Sequence, residues 1–187
     1  MPLPGESTTA DLLPLVVDLD GTLMRSDLMW ESLRLWLPPN PLRLGAVLIW
    51  WMRGRAFLKQ QLGRRVKVNP GSLPYHAEFL DWLRSEKRRG RKLILATASD
   101  YAMALPVFQH VGIFDEFMAS DGKTNLRGAN KRRALSARFG ERGYDYAGNS
   151  VVDLGVWPGC RAAIVVNAHP RLAARAARVT RVARVFR

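Results

Sequence analysis

The stretch of the chain with the clearest chemical potential is residues 18–22, which read Asp-Leu-Asp-Gly-Thr. They follow a short, nearly continuous apolar run, residues 13–19, which predicts a strand buried on both faces of a parallel sheet. Side chains two apart on a strand point to the same side, and Gly21 lets the chain turn sharply beneath Asp18 and Asp20. Such a pair suits one metal ion and one phosphate. The alternative is that these residues only end a strand, because Asp and Gly favour turns.

Further strand-like runs follow along the chain, and they define the expected architecture. They lie at residues 92–97, 116–120, 144–147 and 162–166, separated by helix-like stretches near residues 74–89, 101–111, 129–139 and 150–157. Gly90 stands where the C-terminal cap of the first of these helices belongs. Strands that alternate with helices predict an α/β fold with a doubly wound, Rossmann-like parallel sheet.

The connection between the first two predicted strands is unusually long. It has about 70 residues, whereas a minimal crossover needs roughly 10 to 12. Residues 26–73 are therefore predicted to form a small helical cap, with helices near residues 28–37, 41–52 and 56–66 and breaks at Pro38, Pro39 and Gly54. Residues 13–25 and 74–187 are predicted to form the α/β core, and residues 1–12 a flexible tail.

The Asp-Leu-Asp-Gly-Thr stretch resembles the first motif of the haloacid dehalogenase superfamily, and three later motifs of that family can be matched in order. Thr97, at the end of the second predicted strand, fits the second motif, although Ser99 competes with it and a helix cap is its commoner use. Lys131, near the start of a later helix, fits the third motif. A lysine in so basic a chain is more often a solvated surface residue, so its position relative to the other motifs carries this assignment.

The fourth motif corresponds to residues 146–153, Tyr-Ala-Gly-Asn-Ser-Val-Val-Asp, with one departure from the family. Asn149 stands where an aspartate is common. An amide oxygen can coordinate Mg²⁺, which prefers oxygen ligands, but it brings no negative charge, so metal affinity should fall unless Asp153 compensates. A turn or helix-cap role is the alternative for Asn149.

The resemblance, which is to phosphoserine-phosphatase-like members of the superfamily, implies a Mg²⁺-dependent hydrolysis of a small phosphate ester. In that mechanism Asp18 is the nucleophile and forms an aspartyl phosphate, Asp20 is the acid and base, and Thr97 and Lys131 assist. The implied metal ligands are Asp18, Asp20, Asn149 and Asp153. The implied substrate contacts are Gly21, Thr22, Thr97, Ala98 and Ser99.

The chain also resembles a narrower group, the phosphatase-like domains associated with UbiA-type membrane prenyltransferases. The Asn149 variant and stretches around residues 17–32, 95–100 and 119–128 carry this similarity. It implies an isoprenoid phosphate as an alternative to a phosphoserine-type substrate, and a membrane enzyme as partner. A second hypothesis follows from it, in which a catalytically weak or inactive domain docks on a membrane prenyltransferase.

Charge and apolar composition leave two interpretations of the insertion open. The formal net charge of +13 attracts polyanions in general, but the basic residues form no single stripe and lack the aromatic interleaving of nucleic-acid modules, so no specific nucleic acid is expected. Four tryptophans in the insertion suit either a membrane interface or the packing of the cap onto the core: Trp30, Trp36, Trp50 and Trp51.

Composition also indicates a cellular location. The chain has a single cysteine, and its longest apolar run, residues 44–52, falls short of the roughly 20 residues that span a bilayer. The start of the chain carries no basic residue ahead of an apolar stretch, as a secretory signal would. These features predict a cytoplasmic protein, with peripheral attachment at the inner face of the membrane as an open option.

Overall fold

The computed structural model describes residues 12–38, 40, 42–121 and 124–187, so the predicted tail falls outside it except for residue 12. In this part of the chain one six-stranded parallel sheet forms, in the order β3-β2-β1-β4-β5-β6. The strands are β1 Leu15–Val17, β2 Leu93–Asp100, β3 Glu116–Ser120, β4 Asp145–Gly148, β5 Ala162–Val166 and β6 Arg181–Phe186. The predicted doubly wound sheet is confirmed. The strand order reverses beside β1, the point where such sheets bind ligands.

Helices flank the sheet and fill the long connection after β1. The connection contains α1 Leu28–Trp36, α2 Arg43–Met52, α3 Arg55–Arg65 and α4 Ala77–Arg88. The later helices are α5 Tyr101–Val111, α6 Ala129–Phe139 and α7 Pro170–Ala176. The first three share a small apolar cluster of their own around Met29, Leu33, Leu58 and Leu62. The cap boundaries at residues 26 and 73 stay a prediction.

Two separate apolar clusters cover the two faces of the sheet. Alternation along β1 sends Leu15 and Val17 into one cluster and Val16 into the other, as successive strand residues face opposite sides. All three side chains are fully buried. Burial on both faces explains why β1 reads as a continuous apolar run, and it holds the residues after β1 at a fixed place on the edge of the sheet.

Two local expectations differ from the structure. The helix expected at residues 150–157 is replaced by two 3₁₀ turns, Val151–Gly155 and Trp157–Gly159, where Pro158 and two glycines oppose an α-helix. The second strand continues beyond its predicted end at Thr97 to Asp100, which pairs with Ser120 after a register shift. No helix among the described residues is long and apolar enough to cross a membrane.

A buried ion network ties α4 to β4 through Arg91, which lies in the connection before β2, on the side of the sheet away from the ligand-binding edge. The Arg91 guanidinium contacts Glu86 at 2.8 Å and also pairs with Asp145. Each of these three residues is at most 6% exposed. Arg91 also donates from Nε to the Leu13 carbonyl, at 2.9 Å. The guanidinium therefore compensates two buried carboxylates at once.

We expect Arg91→Met to lower the free energy of unfolding by about 3 kcal/mol, the lower end of the range for a broken buried pair. Glu86 and Asp145 would lose their buried partner and keep only the more exposed Arg89 and Arg161. Urea denaturation at neutral pH measures this change. Lys92→Met is the matched control, since the neighbouring Lys92–Glu116 pair has a half-exposed lysine and should contribute about 1 kcal/mol or less. Equal losses in the two variants would contradict a special role for the buried network.

Candidate active site

The polar residues singled out in the sequence meet at the carboxyl edge of the sheet, beside the reversal of strand order. Asp18 follows β1, Thr97 lies in β2, and Asn149 follows β4. Lys131 is the third residue of α6, whose first turn faces the same edge. The edge positions follow from topology alone, because the carboxyl ends of parallel strands lie side by side.

Asp18 is held by a buried lysine. The Lys131 ammonium donates to Asp18 Oδ1 at 2.6 Å, and the lysine side chain is 3% exposed. Burial raises the pKa of Asp18 to about 6; the charge of Lys131 opposes this, while the nearby carboxylates of Asp153 and Asp20 add to it. The site thus concentrates negative charge in a poorly solvated place. The Lys131 ammonium offsets part of this charge, and a bound metal cation would be stabilised there as well.

A tyrosine that the sequence analysis did not single out completes the surroundings of Lys131. The ammonium also donates to the Ala96 carbonyl at 2.8 Å and to the Tyr146 hydroxyl at 3.0 Å. The Tyr146 hydroxyl in turn donates to Asp153 Oδ1 at 2.8 Å. Burial raises the pKa of Tyr146 well above its usual value, so the phenol keeps the proton that it donates to Asp153. A continuous chain of contacts therefore runs from Asp18 to Asp153.

Asp20 is fixed by three donors from two elements, α1 and β2. Its Oδ1 accepts the backbone N–H of Leu28, the first residue of α1, at 2.8 Å. Its Oδ2 accepts the Ser99 hydroxyl at 2.5 Å and the Thr97 hydroxyl at 3.4 Å. Lys59 of α3, also absent from the predicted site, donates to Ser99 Oγ at 3.2 Å. The insertion after β1 thus contributes directly to the position of this carboxylate.

The three hydroxyl groups predicted to contact substrate form hydrogen bonds with side chains of the site. Thr22, Thr97 and Ser99 are fully buried. The Thr22 hydroxyl lies 3.3 Å from Asn149 Oδ1 and 3.5 Å from Asp18 Oδ2. The backbone N–H of Gly21 is used internally, by the Ser26 carbonyl at 3.0 Å. Of the predicted substrate contacts, Gly21 and Ala98 line the open pocket, whereas these three hydroxyls lie one layer behind it.

Asp153 supports the loop after β4 through hydrogen bonds to both of its carboxylate oxygens. Its Oδ2 accepts the Asn149 N–H at 3.0 Å, the Ser150 N–H at 2.9 Å and the Ser150 hydroxyl at 3.0 Å. Its Oδ1 accepts the Tyr146 hydroxyl. Both oxygens are therefore occupied by protein donors. Asp153 therefore holds Asn149 in place, and the direct metal contact implied for Asp153 by the family resemblance stays a prediction.

Gly21 is required by its backbone angle and by its neighbour. Its φ is +77°, and a Cβ built there would lie 2.1 Å from Asn149 Nδ2. We expect Gly21→Ala to cost about 1–3 kcal/mol of unfolding free energy from backbone strain and to displace Asn149 as well. Gly45→Ala is the control, because Gly45 lies in α2 with no atom within 4 Å of its Cβ position; there alanine should be neutral or stabilising. Thermal denaturation of both variants measures the difference.

The oxygens at this edge suit a hard cation, although no group of three or more His, Cys, Asp or Glu side chains in the described residues is arranged to hold one. The candidate ligand atoms are of two kinds, a carboxylate oxygen and an amide oxygen. Asp18 Oδ2 and Asn149 Oδ1 both lie within reach of the Thr22 hydroxyl, which has one hydrogen and cannot satisfy both. One of these two oxygens therefore lacks a donor in the protein. Carboxylate and amide oxygens of this type fit Mg²⁺.

An open cavity of about 860 Å³ lies over Asp18 and is large enough for an organic ligand. Its inner wall is formed by the acidic edge and Lys131. Its outer wall comes partly from the insertion and combines apolar with basic side chains: Trp30, Phe57, Arg25, Arg53 and Lys59. Cys160 lies outside this cavity, and burial raises the pKa of its thiol to about 12, which disfavours the reactive thiolate form.

The fold and site define a class of protein, namely a Rossmann-like α/β domain with a carboxylate–lysine site at the switch point of its sheet. Residues 15–156 match the family model of the haloacid dehalogenase-like hydrolases, and the chain belongs to that family. Its relative y4nM, an uncharacterized protein of Sinorhizobium fredii (strain NBRC 101917 / NGR234), is 38% identical over 154 residues. That match covers 82% of this chain but 30% of y4nM, so the chain spans about a third of its relative.

Solved structures share the fold at low sequence identity. A Bordetella pertussis Tohama I protein of unknown function superposes with a TM-score of 0.65 and 19% identity, covering 93% of this chain and 97% of that one. A substrate-bound phosphoserine phosphatase superposes with a TM-score of 0.63 and 12% identity, covering 94% and 93%. The likeness at these identities concerns the fold, and the phosphatase belongs to the same structural class.

Proposed function

We propose that this protein is a Mg²⁺-dependent phosphatase that hydrolyses monoesters of small organic or isoprenoid phosphates through an aspartyl phosphate on Asp18. The observation that carries the proposal is the buried Lys131 ammonium, 2.6 Å from Asp18 Oδ1, next to a second carboxylate fixed by three donors. A nucleophile, a fixed cation and a positioned acid at one sheet edge are the parts that phosphoryl transfer requires.

The residues would act in two steps. A carboxylate oxygen of Asp18 attacks phosphorus in line, the ester P–O bond breaks, and Asp20 gives its proton to the leaving oxygen. Asp20, now ionised, takes a proton from water, the water oxygen bonds to phosphorus, and the bond to Asp18 breaks to release phosphate. Lys131 stabilises the charge on the transferred group throughout. Thr97 and Ser99 hold Asp20 toward the leaving oxygen, a positioning role in place of the substrate contact implied by the resemblance.

Mg²⁺ would be held mainly by Asp18 and Asn149. Their Oδ2 and Oδ1 atoms share the Thr22 hydroxyl as donor, whereas the carboxylate oxygens of Asp20 and Asp153 accept hydrogen bonds elsewhere. When bound, the ion supplies positive charge that offsets the crowded carboxylates and the phosphoryl oxygens.

Asn149→Asp is expected to strengthen metal binding. A carboxylate at this position adds one negative charge to the oxygens that face the cation, so we expect the Mg²⁺ concentration for half-maximal activity to fall about tenfold. Titration of the apo protein with Mg²⁺, followed by calorimetry and by activity, measures the change. Asn69→Asp is the control, because Asn69 is exposed, lies outside the cavity, and uses Oδ1 only to accept the Gly71 N–H, which a carboxylate can also do. An unchanged Mg²⁺ requirement in Asn149→Asp would contradict the assignment of Asn149 as a ligand.

The substrate class is tested with a panel of phosphate esters. Phosphate release is measured for p-nitrophenyl phosphate, phosphoserine and a prenyl phosphate, in Mg²⁺ and in chelator. The mixed apolar and basic outer wall of the cavity supports an organic group with apolar character, so we expect prenyl phosphate to give the highest kcat/KM. Preference for phosphoserine would place the substrate in the phosphoserine-type class instead. No turnover of any ester by folded protein would favour the second hypothesis, a domain that docks on a membrane prenyltransferase without catalysis.

A further inference from the structure

Helix α2 is apolar on both of its sides, which distinguishes it from an ordinary surface helix. One side, with Val47 and Trp50, packs on the small cluster of the insertion. Arg43 stacks on the Trp36 ring at 4.2 Å on that same side. Yet none of the ten residues of α2, all of them described, is buried. The other side is exposed and consists of Leu44, Leu48, Ile49, Trp51 and Met52, which we call the α2 face.

The α2 face contains no polar side chain where a solvated helix would have several. Leu48 is 59% exposed and Met52 is 71% exposed. Leu42, just before the helix, is 83% exposed. Single exposed apolar residues are ordinary on protein surfaces, but a continuous set on one short helix marks a contact surface.

The charge around α2 indicates the chemistry of what covers this surface. The chain from residue 32 to residue 77 contains no Asp or Glu and eight basic residues: Arg34, Arg43, Arg53, Arg55, Lys59, Arg64, Arg65 and Lys67. A second copy of the chain would bring the same eight positive charges against these, which opposes a symmetric dimer through this surface. An anionic surface would be attracted, and an apolar layer beneath that surface would accept the leucines.

We propose that the α2 face attaches the protein to the surface of an anionic lipid bilayer. A helix of ten residues is about 15 Å long, half of the roughly 30 Å hydrocarbon core, so it would lie in the interface with its apolar side inward. Trp51 is the residue type that prefers the headgroup level. The proposal is independent of the proposed phosphatase activity. Membrane attachment would still affect access to the active site. Arg53 and Phe57, just after α2, line the cavity over Asp18, so the opening of this cavity would lie near the lipid headgroups.

The experiment is a vesicle flotation assay on the full chain. Vesicles of phosphatidylcholine with phosphatidylglycerol are compared with vesicles of phosphatidylcholine alone, at low and high salt. We expect binding to the anionic vesicles that weakens with salt, and a loss of about tenfold or more in the partition coefficient for Leu48→Glu, because burial of the leucine is replaced by a charge. Trp51→Glu should have a similar effect.

Val179→Glu is the matched control, because it makes the same charge change at an exposed apolar residue outside α2, in the turn after α7. It should bind vesicles nearly as well as wild type. Equal losses in Val179→Glu and Leu48→Glu would mean that net charge alone drives binding, and would overturn the role of the α2 face. Failure of wild type to bind anionic vesicles would also overturn it. So would a dimer, seen by sedimentation velocity, that Leu48→Glu dissociates while vesicle binding is unaffected.

Discussion

Asp18→Asn is expected to lower kcat for every phosphate ester that the protein hydrolyses by a factor on the order of 10⁴ or more. The amide keeps the shape of the side chain but is a poor nucleophile and cannot form the acyl phosphate. The contact with Lys131 at 2.6 Å loses its ionic partner, so the fold is checked by circular dichroism and thermal denaturation. Phosphate release under saturating substrate measures the loss.

The intermediate itself gives a second readout of the same residue. Wild-type protein quenched in acid during turnover should carry one added phosphoryl group on the peptide that contains Asp18, and Asp18→Asn should carry none. Asp100→Asn is the control, since Asp100 lines the cavity and caps α5 through Ala102, and an amide oxygen can accept the same hydrogen bond. We expect its kcat to stay within about tenfold of wild type. Comparable activity of Asp18→Asn and wild type would rule out Asp18 as the nucleophile.

The sequence predicted the sheet and the edge of the site because both follow from local patterns. Buried parallel strands read as apolar runs, and the polar residue after each run must lie at the carboxyl edge. This is why Asp18, Thr97 and Asn149 could be placed together without coordinates. Lys131 could be placed as well, because it begins the helix that leads into β4.

The contacts within the site could not be predicted in the same way. A hydroxyl such as that of Ser99 donates to whichever acceptor lies nearest. Asp20 lies nearest because its Oδ1 is held by the backbone N–H of Leu28 at the start of α1. Lys59 reaches Ser99 from a helix 40 residues earlier in the chain. Tyr146 lies inside a strand whose sequence pattern indicates only a buried core position. Its position, two residues before Gly148 on the same side of β4, is the signal from which its place beside Lys131 could have been found.

Asn149, the neutral residue of the fourth motif, is held in place by Asp153, whose Oδ2 accepts its backbone N–H. Asp153 brings a negative charge close to Asp18, but its oxygens accept hydrogen bonds from four donors of the β4 strand and its loop. In the proposed function Asp18 is then the carboxylate that would contact Mg²⁺ directly. The same carboxylate is the proposed nucleophile. Lys131 would therefore stabilise the charge of Asp18 before the reaction and the charge on the phosphoryl group during it.

Lys131→Met is therefore expected to lower kcat by about 10²–10³-fold, the range seen when one fixed donor to a developing oxyanion is removed. Methionine fills a similar volume in a site where the lysine is 3% exposed, so packing is largely kept. The loss should appear in kcat more than in KM, because the charge on the transferred group is greatest in the transition state. Steady-state kinetics with saturating Mg²⁺ measure both.

Tyr146→Phe separates the charge of Lys131 from the network that surrounds it. This variant removes the hydroxyl that links Lys131 to Asp153 but leaves the ammonium its contacts with Asp18 and the Ala96 carbonyl. We expect a loss of about tenfold or less, since the cation stays beside the nucleophile. If Tyr146→Phe were as inactive as Lys131→Met, the buried network and not the ammonium would set the rate, and Lys131 would be a positioning residue.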